Sequence, residues 1–543
     1  MREYNKSISM DRLRKYSRYS SLLIVIPLIL SAYTHLWNPI QFPNIHADEG
    51  TYMLRALTFL KDKTLLPQGA PFYDHPFFGQ IFLASVMAVF GYPDSLNPSP
   101  EGDISSIQRL FLFPRILMGL LAVVDTLLVY KITERRYNKT VALIAAVLFA
   151  IMPITWILRR ILLDNLLLPF LLSSILCTTY IKSENREYMK NGRILNRKCF
   201  GMVTLSGIFL GLAIFTKTPA FTFIPLVSFL VFTTSSRNWK ILGLWFIPVI
   251  LIPAIWPISA YSVGQFDNWF DGIIHQATER ASKPLIDSLT TFFQIDPILL
   301  VIGISGIIFA CLRKDLFILL SVVPYLIFLQ LVEFVSVYHL VLLLPPICIA
   351  SSVLIYHLSI KLKNKKLSVV PFTIVFAVFI FGLLVSSLLI NTTFNSSYFE
   401  TYAAFVNQLP EATVNGNNAG SGEETLPIVV GRFWTKSFLW IPQYVFDKKF
   451  MFIREDSGLL NEIDHKNSNS TSPPIILIVD NNMKRNIRTN TVDEKYDILR
   501  SLRDITHTTQ MIEEERFPYD RSKYPYSALY DNRRLGNIEL RSN

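Results

Sequence analysis

Charged residues are scarce in this chain of 543 residues, since only 17% are Asp, Glu, Lys or Arg, whereas 51% are hydrophobic. A soluble protein carries about 25% charged residues. The apolar residues also come in long blocks, so the deficit indicates a polytopic membrane protein. The formal net charge of +11 then needs no nucleic acid partner, because basic residues are expected in cytoplasmic loops.

Cysteine is also rare, and the polar C-terminal region has none. The four cysteines lie within or beside hydrophobic segments, at Cys177, Cys199, Cys311 and Cys348. This distribution argues against a disulfide framework and against a cysteine metal site. A glycine-rich phosphate loop and an internal repeat are also missing from the sequence, which disfavours a nucleotide-sugar donor and an inverted-repeat transporter.

Long apolar segments predict the membrane topology. Eleven segments are long enough to cross a bilayer of about 30 Å hydrocarbon thickness. They are residues 21–37, 110–130, 140–158, 161–181, 200–216, 219–234, 241–257, 297–312, 315–332, 336–360 and 367–390. With the N-terminal tail 1–20 in the cytoplasm, the loops predicted to be cytoplasmic are all basic, as the positive-inside rule requires.

The same rule assigns the remaining regions. Counting Phe77–Tyr92 as a span would put the basic loops outside, so this stretch is predicted to lie in the outer interface. Thr51–Leu60 is expected to do the same, with Tyr52, Leu57 and Leu60 facing lipid. The fold class is therefore a polytopic α-helical membrane protein with outer interfacial helices.

The predicted domains follow from these boundaries. A membrane domain, 21–390, has a first outer loop at 38–108 and a second at 258–296. Residues 391–543 are polar, with turn-rich pieces between short apolar runs, and they predict a small extracytoplasmic α/β domain. The protein is thus expected in the cell membrane, with its N-terminus in the cytoplasm.

Ionisable residues collect at the predicted outer face, where charge near the membrane is costly and needs a reason. Asp48 and Glu49 follow the first span, and Arg159 and Asp164 lie in the motif RRILLD. Arginines in a partly dry site suit phosphate, and a nearby carboxylate could take a proton from an attacking hydroxyl. Other readings stay open: Asp48 could only cap its helix, and Arg159 could only pair with Asp164.

Two further cations, Lys217 and Arg109, could act at this face or merely extend to lipid headgroups. The cations expected to bind the phosphate of a phosphate-linked donor are Arg115, Arg159, Lys217 and Arg280. Those expected to support the site are Asp164, Tyr338 and His339.

Four motifs occur in order over about residues 20–390: DEGTY, YDHPFFG, RRILLDNLLLPF and GLAIFTKTPAFTFIP. In this order they resemble GT-C glycosyltransferases of the protein O-mannosyltransferase and lipid A aminoarabinose transferase type. The resemblance implies a membrane domain of eleven or more spans with interfacial helices in the first outer loop. One departure is HPFF, which stands where the family has HPPL.

The resemblance also implies roles for individual residues. Asp48 matches the catalytic aspartate, which is the base toward the acceptor hydroxyl, and Glu49 matches its partner acid. His75 falls near the expected donor phosphate. Asp74 falls where some relatives have a metal-binding acid, so a divalent cation on Asp48 and Asp74 is the one cofactor considered.

The expected function is that of an inverting glycosyltransferase, which would move a monosaccharide from a polyprenyl-phosphate donor to a protein, lipid or glycan hydroxyl on the outer face. The Trp-Trp-Asp signature of oligosaccharyltransferases is absent from the sequence, which argues against transfer to asparagine. A transporter or lipid flippase is the alternative, and an inactive binding or sensor protein with the same fold is a third possibility.

Overall fold

The fold is described from a computed structural model. The described residues are 23–64, 73–96, 104–188, 197–235, 237–280, 282–364, 369–392, 396–409, 426–431, 440–444, 446, 448–454, 475–479, 483, 503–504, 506–512 and 538–542. The predicted cytoplasmic tail, 1–20, lies outside them.

Apolar helices make up the first two thirds of the chain. In the first half they are α1 (Val25–Leu36), α2 (Ala47–Asp62), α3 (Phe78–Val89), α4 (Ile104–Arg136), α5 (Lys139–Ile151), α6 (Leu163–Tyr188), α7 (Arg197–Thr216) and α8 (Ile224–Thr234). They continue as α9 (Trp239–Ser262), α10 (Phe266–Ile274), α11 (Leu285–Ile295), α12 (Pro297–Leu312), α13 (Leu316–Leu331), α14 (Leu344–Asn364) and α15 (Val369–Ile390).

Six helices among the described residues are long and apolar enough to cross a membrane, or up to seven if one bent pair counts as a span. Each of the eleven predicted segments coincides with an apolar helix, and five apolar helices are shorter than a usual span. The chain is thus a multi-pass membrane protein, whereas the number eleven stays a prediction.

The bent pair brings charged residues to one end of the bundle. Helix α5 and the 3-10 segment Pro153–Arg159 meet at 68°. Proline has no N–H for the helical ladder, so Pro153 breaks the α-helix. The chain then turns through Arg160 into α6, which places the RRILLD motif at the same end as the start of α2.

The interfacial prediction for Thr51–Leu60 is wrong for two of its three side chains. Tyr52 and Leu57 are buried in α2, and Leu60 is partly buried against the same core. The apolar stripe of α2 therefore packs against protein rather than lipid. Helix α3 has 12 residues and is about 18 Å long, which is too short to cross a bilayer.

The second outer loop packs onto the first. A Cβ atom at Gly272 in α10 would lie 2.5 Å from the carbonyl oxygen of Tyr73, so only glycine permits this approach. The Tyr73 hydroxyl also donates a hydrogen bond to Gln265 at 2.8 Å. These contacts fix the segment that carries Asp74 and His75 against the second loop.

The end of the last long helix meets the end of the first. The indole of Trp37 donates to the Asn391 side chain at 2.9 Å, and the Asn38 amide donates to the Ile390 carbonyl at 2.9 Å. The chain after α15 therefore starts at the same end of the bundle as the loop that carries Asp48.

A mixed sheet follows in the C-terminal part, with one α-helix, α16 (Ser396–Gln408), before it and a short one, α17 (Trp440–Tyr444), between its first two strands. Its strands are β1 (Ile428–Gly431), β2 (Met451–Arg454), β3 (Ile475–Val479), β4 (His507–Ile512) and β5 (Ile538–Ser542), in the order β2-β1-β3-β5-β4. Strands β2, β1 and β3 are parallel, whereas β5 pairs antiparallel with β3 and β4. Side chains alternate between two buried clusters, as Val429 and Val430 do, so both faces of β1 are covered.

Candidate active site

A cavity of about 920 Å³ lies at the end of the bundle where the RRILLD motif and both outer loops meet. A volume of this size suits a small molecule or a lipid headgroup. The charged and imidazole side chains that line it are His46, Asp48, Asp74, His75, Arg160, Asp164, Lys217, Arg280, Lys283 and His339. The structure thus brings together most of the predicted site residues.

Asp48 reaches the cavity because it does not cap its helix. The N-cap of α2 is His46, whose Nδ1 accepts a hydrogen bond from the Asp48 N–H at 3.3 Å. The reciprocal bond of this capping box runs from the His46 N–H to Glu49 at 2.8 Å. The interpretation of Asp48 as a cap is therefore wrong, and its carboxylate is 51% exposed at the cavity.

Glu49 has the opposite environment, with 0% exposure. Arg115 binds both carboxylate oxygens, at 3.1 and 2.9 Å, and the Ile161 N–H donates to Oε1 at 3.0 Å. Burial alone would raise the pKa of Glu49, but the positive charges of Arg115 and Arg160 and these hydrogen bonds hold it below its ordinary value. Glu49 does not line the cavity, so its geometry is that of a structural anion rather than a catalytic acid.

Arg115 and Arg159 also lie away from the cavity lining. Besides Glu49, Arg115 binds the carbonyl oxygens of Pro39, Ile40 and Pro43. Arg159 binds three carbonyl oxygens, those of Thr34, Trp37 and Asn38. Because backbone oxygens take these donors, both guanidinium groups hold the loop after α1, and the prediction that they bind donor phosphate does not fit their position.

Arg160, which the sequence interpretation overlooked, is the arginine of the pair that lines the cavity. One of its nitrogens donates to the Asn44 side chain at 2.6 Å. Its Nε and Nη1 atoms are buried and make no hydrogen bond with the described residues. The guanidinium lies between two aromatic rings, 4.8 Å from the centroid of Trp156 and 5.2 Å from that of Tyr338.

Asp164 and Lys217 form an ion pair at 2.6 Å, with both side chains nearly buried. This pair joins the start of α6 to the residue that follows α7. It corrects two interpretations: Asp164 pairs with Lys217 rather than with Arg159, and Lys217 is not extended toward lipid headgroups. Lys217 still lines the cavity.

Asp74 forms a similar pair with Arg55 at 2.5 Å. Burial would raise the pKa of Asp74, but neighbouring His75 and Arg55 hold it below its ordinary value. Burial lowers the pKa of His75 to about 4, although Asp74 opposes this shift. The imidazole is therefore neutral at pH 7, so His75 offers a phosphate one N–H and no positive charge.

The predicted metal site does not fit this donor set. The Asp74 carboxylate already forms an ion pair with Arg55. The Nδ1 atom of His46, beside Asp48, already accepts a backbone hydrogen bond. The described part of the chain contains no cluster of three or more His, Cys, Asp or Glu side chains that could hold a metal ion. The cation on Asp48 and Asp74 stays a prediction, and we derive no step through it.

The opposite wall of the cavity carries two more cations. Among the described residues, the Arg280 guanidinium makes one hydrogen bond, which it donates to the Gln276 side chain at 3.1 Å, and it lies 3.9 Å from the ring centroid of Phe334. Lys283 lines the cavity, and its ammonium group has no hydrogen-bond or ion-pair partner among the described residues. Its backbone bridges to the strand-like residues 333–335.

Tyr338 and His339 complete the lining on the segment before α14. The ring of Tyr338 meets that of His46 edge-on at 4.7 Å between centroids. The Nδ1 atom of His339 accepts a hydrogen bond from the Ser336 N–H at 3.1 Å, and its carbonyl accepts one from the Tyr325 hydroxyl at 2.5 Å. Both residues thus support the cavity wall, with Tyr338 placed between His46 and Arg160.

Comparisons with known proteins show which part of the chain resembles a known family. Residues 25–264 match the family model described as dolichyl-phosphate-mannose-protein mannosyltransferase. A search of curated protein sequences gives no match. The matched range contains Asp48, Asp74, Arg160 and Lys217, whereas Arg280 and Lys283 lie beyond it.

Solved structures share the fold at low sequence identity. ArnT from Cupriavidus metallidurans, bound to undecaprenyl phosphate, is 10% identical, with a TM-score of 0.55 over 97% of this chain and 98% of that chain. The Archaeoglobus fulgidus oligosaccharyltransferase, tethered with an acceptor peptide, is 12% identical, with a TM-score of 0.52 over 86% of this chain and 69% of that chain. A complex of the Archaeoglobus enzyme also contains Zn and sulfate. The family model thus matches the part of the chain that contains α1 to α9, and the solved structures show that the chain shares their fold.

Proposed function

We propose that this protein transfers a monosaccharide from a polyprenyl-phosphate donor to an acceptor hydroxyl, with inversion, on the outer face of the membrane. The observation that carries the proposal is a single cavity in which the free carboxylate of Asp48 shares the lining with the cations Arg280 and Lys283. The family description, which names a dolichyl-phosphate sugar and a protein acceptor, supports this donor and favours a protein hydroxyl.

The donor phosphate is assigned to Arg280 and Lys283, because their side chains have few or no described partners. A phosphate diester with one negative charge fits beside two cations, and charge-assisted hydrogen bonds to it are strong. Lys217 lies on the same cavity, but Asp164 neutralises it. Lys217 therefore contributes less attraction for the donor than either cation of the second loop.

The prenyl chain needs an apolar route out of the cavity. One side of the lining is apolar and consists of Phe221, Phe328, Leu329 and Val332. Phe221 and Phe328 meet edge-on at 5.6 Å between centroids, and the Phe221 side chain is 45% exposed. The lipid tail leaves the cavity on this side, where its burial among apolar side chains and lipid is favourable.

Asp48 acts as the general base. Its carboxylate takes the proton of the acceptor hydroxyl while the hydroxyl oxygen bonds to the anomeric carbon of the sugar. The bond from that carbon to the phosphate oxygen breaks, and the polyprenyl phosphate leaves with the electron pair. Arg280 and Lys283 stabilise the charge that develops on the phosphate.

Inversion follows from the number of available carboxylates. A retaining reaction by double displacement needs a carboxylate that acts as a nucleophile on the sugar. Among the described residues that line the cavity, Asp74 and Asp164 are held by Arg55 and Lys217, so Asp48 alone lacks a cationic partner of that kind. One displacement with one base is the reaction that this lining supports.

Two finer features of the architecture belong to the same proposal. Eleven spans place the cavity and residues 391–543 on the outer side, with the basic loops in the cytoplasm. The hydrogen bonds between Trp37 and Asn391 support a common side for the cavity and the start of the C-terminal region. The sheet there would form an extracytoplasmic α/β domain.

Incubation of the purified full-length protein with a panel of radiolabelled polyprenyl-phosphate sugars tests the function. We expect label to move to a hydroxyl acceptor from at least one lipid-phosphate sugar and from no nucleotide sugar. The same donors in sealed vesicles test the alternative, since a flippase would move the intact donor across the bilayer without forming product. Transport without transfer, or transfer from a nucleotide sugar only, would overturn the proposal.

A further inference from the structure

The Arg160 guanidinium has buried hydrogen-bond donors that lack an acceptor among the described residues. Arg160 is 1% exposed, and two of its donor atoms, Nε and Nη1, make no hydrogen bond with the described residues. Leaving buried charged donors unsatisfied costs free energy, so such groups call for an explanation such as a ligand. At the neighbouring Arg159, backbone carbonyls accept hydrogen bonds from both terminal nitrogens, so that only Nε makes none with the described residues.

Arg160 belongs to the wall of the cavity that carries Asp48. Its guanidinium lies 5.2 Å from the centroid of the Tyr338 ring, which in turn meets the His46 ring at 4.7 Å. The Nδ1 atom of His46 is 3.8 Å from the Asp48 carboxylate. Asp48 and Arg160 are therefore connected through two contacting rings along one wall.

The direction of the proposed reaction separates this wall from the donor phosphate. In a single displacement the attacking hydroxyl and the leaving phosphate lie on opposite faces of the anomeric carbon. Asp48 must touch the hydroxyl, so the groups beside Asp48 face the acceptor. Arg280 and Lys283, which are carried by the second outer loop, face the leaving phosphate.

The charges of the lining point in the same direction. Three cations, Arg160, Arg280 and Lys283, lack a carboxylate partner among the described residues, against one free carboxylate, Asp48. The donor diester supplies one negative charge for the pair on the second loop. Arg160 is then the cation that remains on the acceptor side, where it forms no ion pair with Asp48 among the described residues.

We propose that Arg160 is an acceptor-specificity residue that binds a carboxylate of an acidic peptide, next to the hydroxyl that receives the sugar. This inference rests on the proposed function and names its acceptor class. The guanidinium offers this carboxylate a charge-assisted hydrogen bond from a donor that has no partner among the described residues. The Nε and Nη1 atoms are buried, so a ligand reaches them only if a flanking ring moves, and Tyr338 is the more exposed of the two rings.

Matched peptides with one threonine test the inference. The threonine is flanked by Asp, Asn or Lys, and the full-length protein is supplied with one lipid-phosphate sugar. We expect kcat/KM for the Asp peptide to exceed that for the Asn peptide by about 10-fold or more, because a hydrogen bond between charged groups is strong. Arg160→Gln should abolish this preference, so that the Asp and Asn peptides give the same kcat/KM, and R160E should favour the Lys peptide.

Lys283→Gln is the matched control, since it removes a cation from the opposite wall. It should raise KM for the donor equally with all three peptides and keep the preference for Asp. If Arg160→Gln instead raises the donor KM and lowers turnover of every peptide alike, Arg160 binds the donor phosphate and the inference is wrong. Preferential labelling of an anionic hydroxylated lipid in vesicles, dependent on Arg160, would also overturn the peptide assignment.

Peptide binding without turnover distinguishes failure of the inference from failure of the proposed function. Fluorescence anisotropy of labelled peptides should show tighter binding of the Asp peptide to the wild type than to Arg160→Gln. If this difference is found and no sugar is transferred from any donor, the proposed function alone fails. Equal binding of all three peptides to both proteins overturns the inference whether or not transfer occurs.

Discussion

Two neighbouring regions of this molecule, the loop after α1 and the cavity wall beside it, hold their charged side chains in opposite ways. Around the loop after α1, Glu49, Arg115 and Arg159 satisfy one another or backbone carbonyls and are almost completely buried. Beside them, Asp48 and Arg160 face the cavity with free oxygens and unpaired nitrogens. Each adjacent pair, Asp-Glu and Arg-Arg, thus contributes one member to each region.

This difference shows why the opening of α2 carries two carboxylates. Glu49 closes the capping box and anchors the helix to Arg115, while Asp48 at the preceding position is left free for chemistry. A rigid buried layer that fixes the backbone of the reactive side chain is what a precise site requires. Under the proposed function, Glu49 meets the structural need and the neighbouring Asp48 meets the catalytic one.

The largest expected effect is on stability, from the buried layer. Glu49→Gln should lower the free energy of unfolding by about 3–5 kcal/mol, because it leaves the Arg115 charge buried without its partner. Thermal unfolding of the purified variant in detergent measures this change. Unchanged stability would show that the buried ion pair does not hold the loop.

The second effect is a dependence of stability on pH that comes from the cavity. His75 has a folded pKa of about 4, below its unfolded value of about 6.5, so the unfolded state binds the proton first as pH falls. Stability should therefore decrease from pH 6.5 toward pH 4, whereas Glu49 and Asp74, with lowered pKa values, lose theirs only at lower pH. His75→Asn should flatten the melting-temperature profile above pH 4.5, and an unaltered slope would contradict the assignment.

Donor binding should depend on the second outer loop and not on the buried arginines. Arg280→Gln should raise the donor KM by about 10-fold, in line with the loss of one hydrogen bond to a charged group. Steady-state kinetics at saturating acceptor measures it. A donor KM equal to that of the wild type would remove Arg280 from the phosphate site.

The smallest expected effect separates the cap from the catalytic residue. His46→Ala should cost about 0.5–2 kcal/mol of stability, because the helix loses the side chain that accepts the Asp48 N–H. Asp48→Ala is the matched control, and it should cost less, since the Asp48 side chain does not cap. Thermal unfolding of both variants decides, and a larger loss for Asp48→Ala would restore Asp48 as the cap.

Much of the site could be predicted from the sequence, because apolar segments and charged motifs carry strong signals. The segments 21–37 and 367–390 each coincide with a helix, and His75, Lys217 and Arg280 do line one cavity. Hydrophobic length and the position of charges beside a span are properties of composition. Both can be determined from the sequence without knowledge of the tertiary contacts.

The wrong assignments concerned which way a side chain points and which distant residue it contacts, and the sequence composition does not contain this information. Which arginine of the RRILLD motif faces the cavity is set by the 68° bend at Pro153 and the turn that follows. The partner of Asp164 is Lys217, which is 53 residues away in sequence, so local spacing favoured Arg159 instead. Lys283 lies in the predicted second outer loop. That its ammonium group has no partner among the described residues depends on the folded structure, so the sequence could not predict it.

The central claim is that Asp48 supplies the base while Glu49 supplies structure. The most direct measurement is the rate of sugar transfer by Asp48→Asn with a lipid-phosphate donor that the wild type uses, together with the thermal stability of the variant. The account predicts a rate lower by about 10²–10⁴-fold and a stability within about 0.5 kcal/mol of the wild type, because the side chain is exposed. An Asn variant that transfers sugar at the wild-type rate would contradict it.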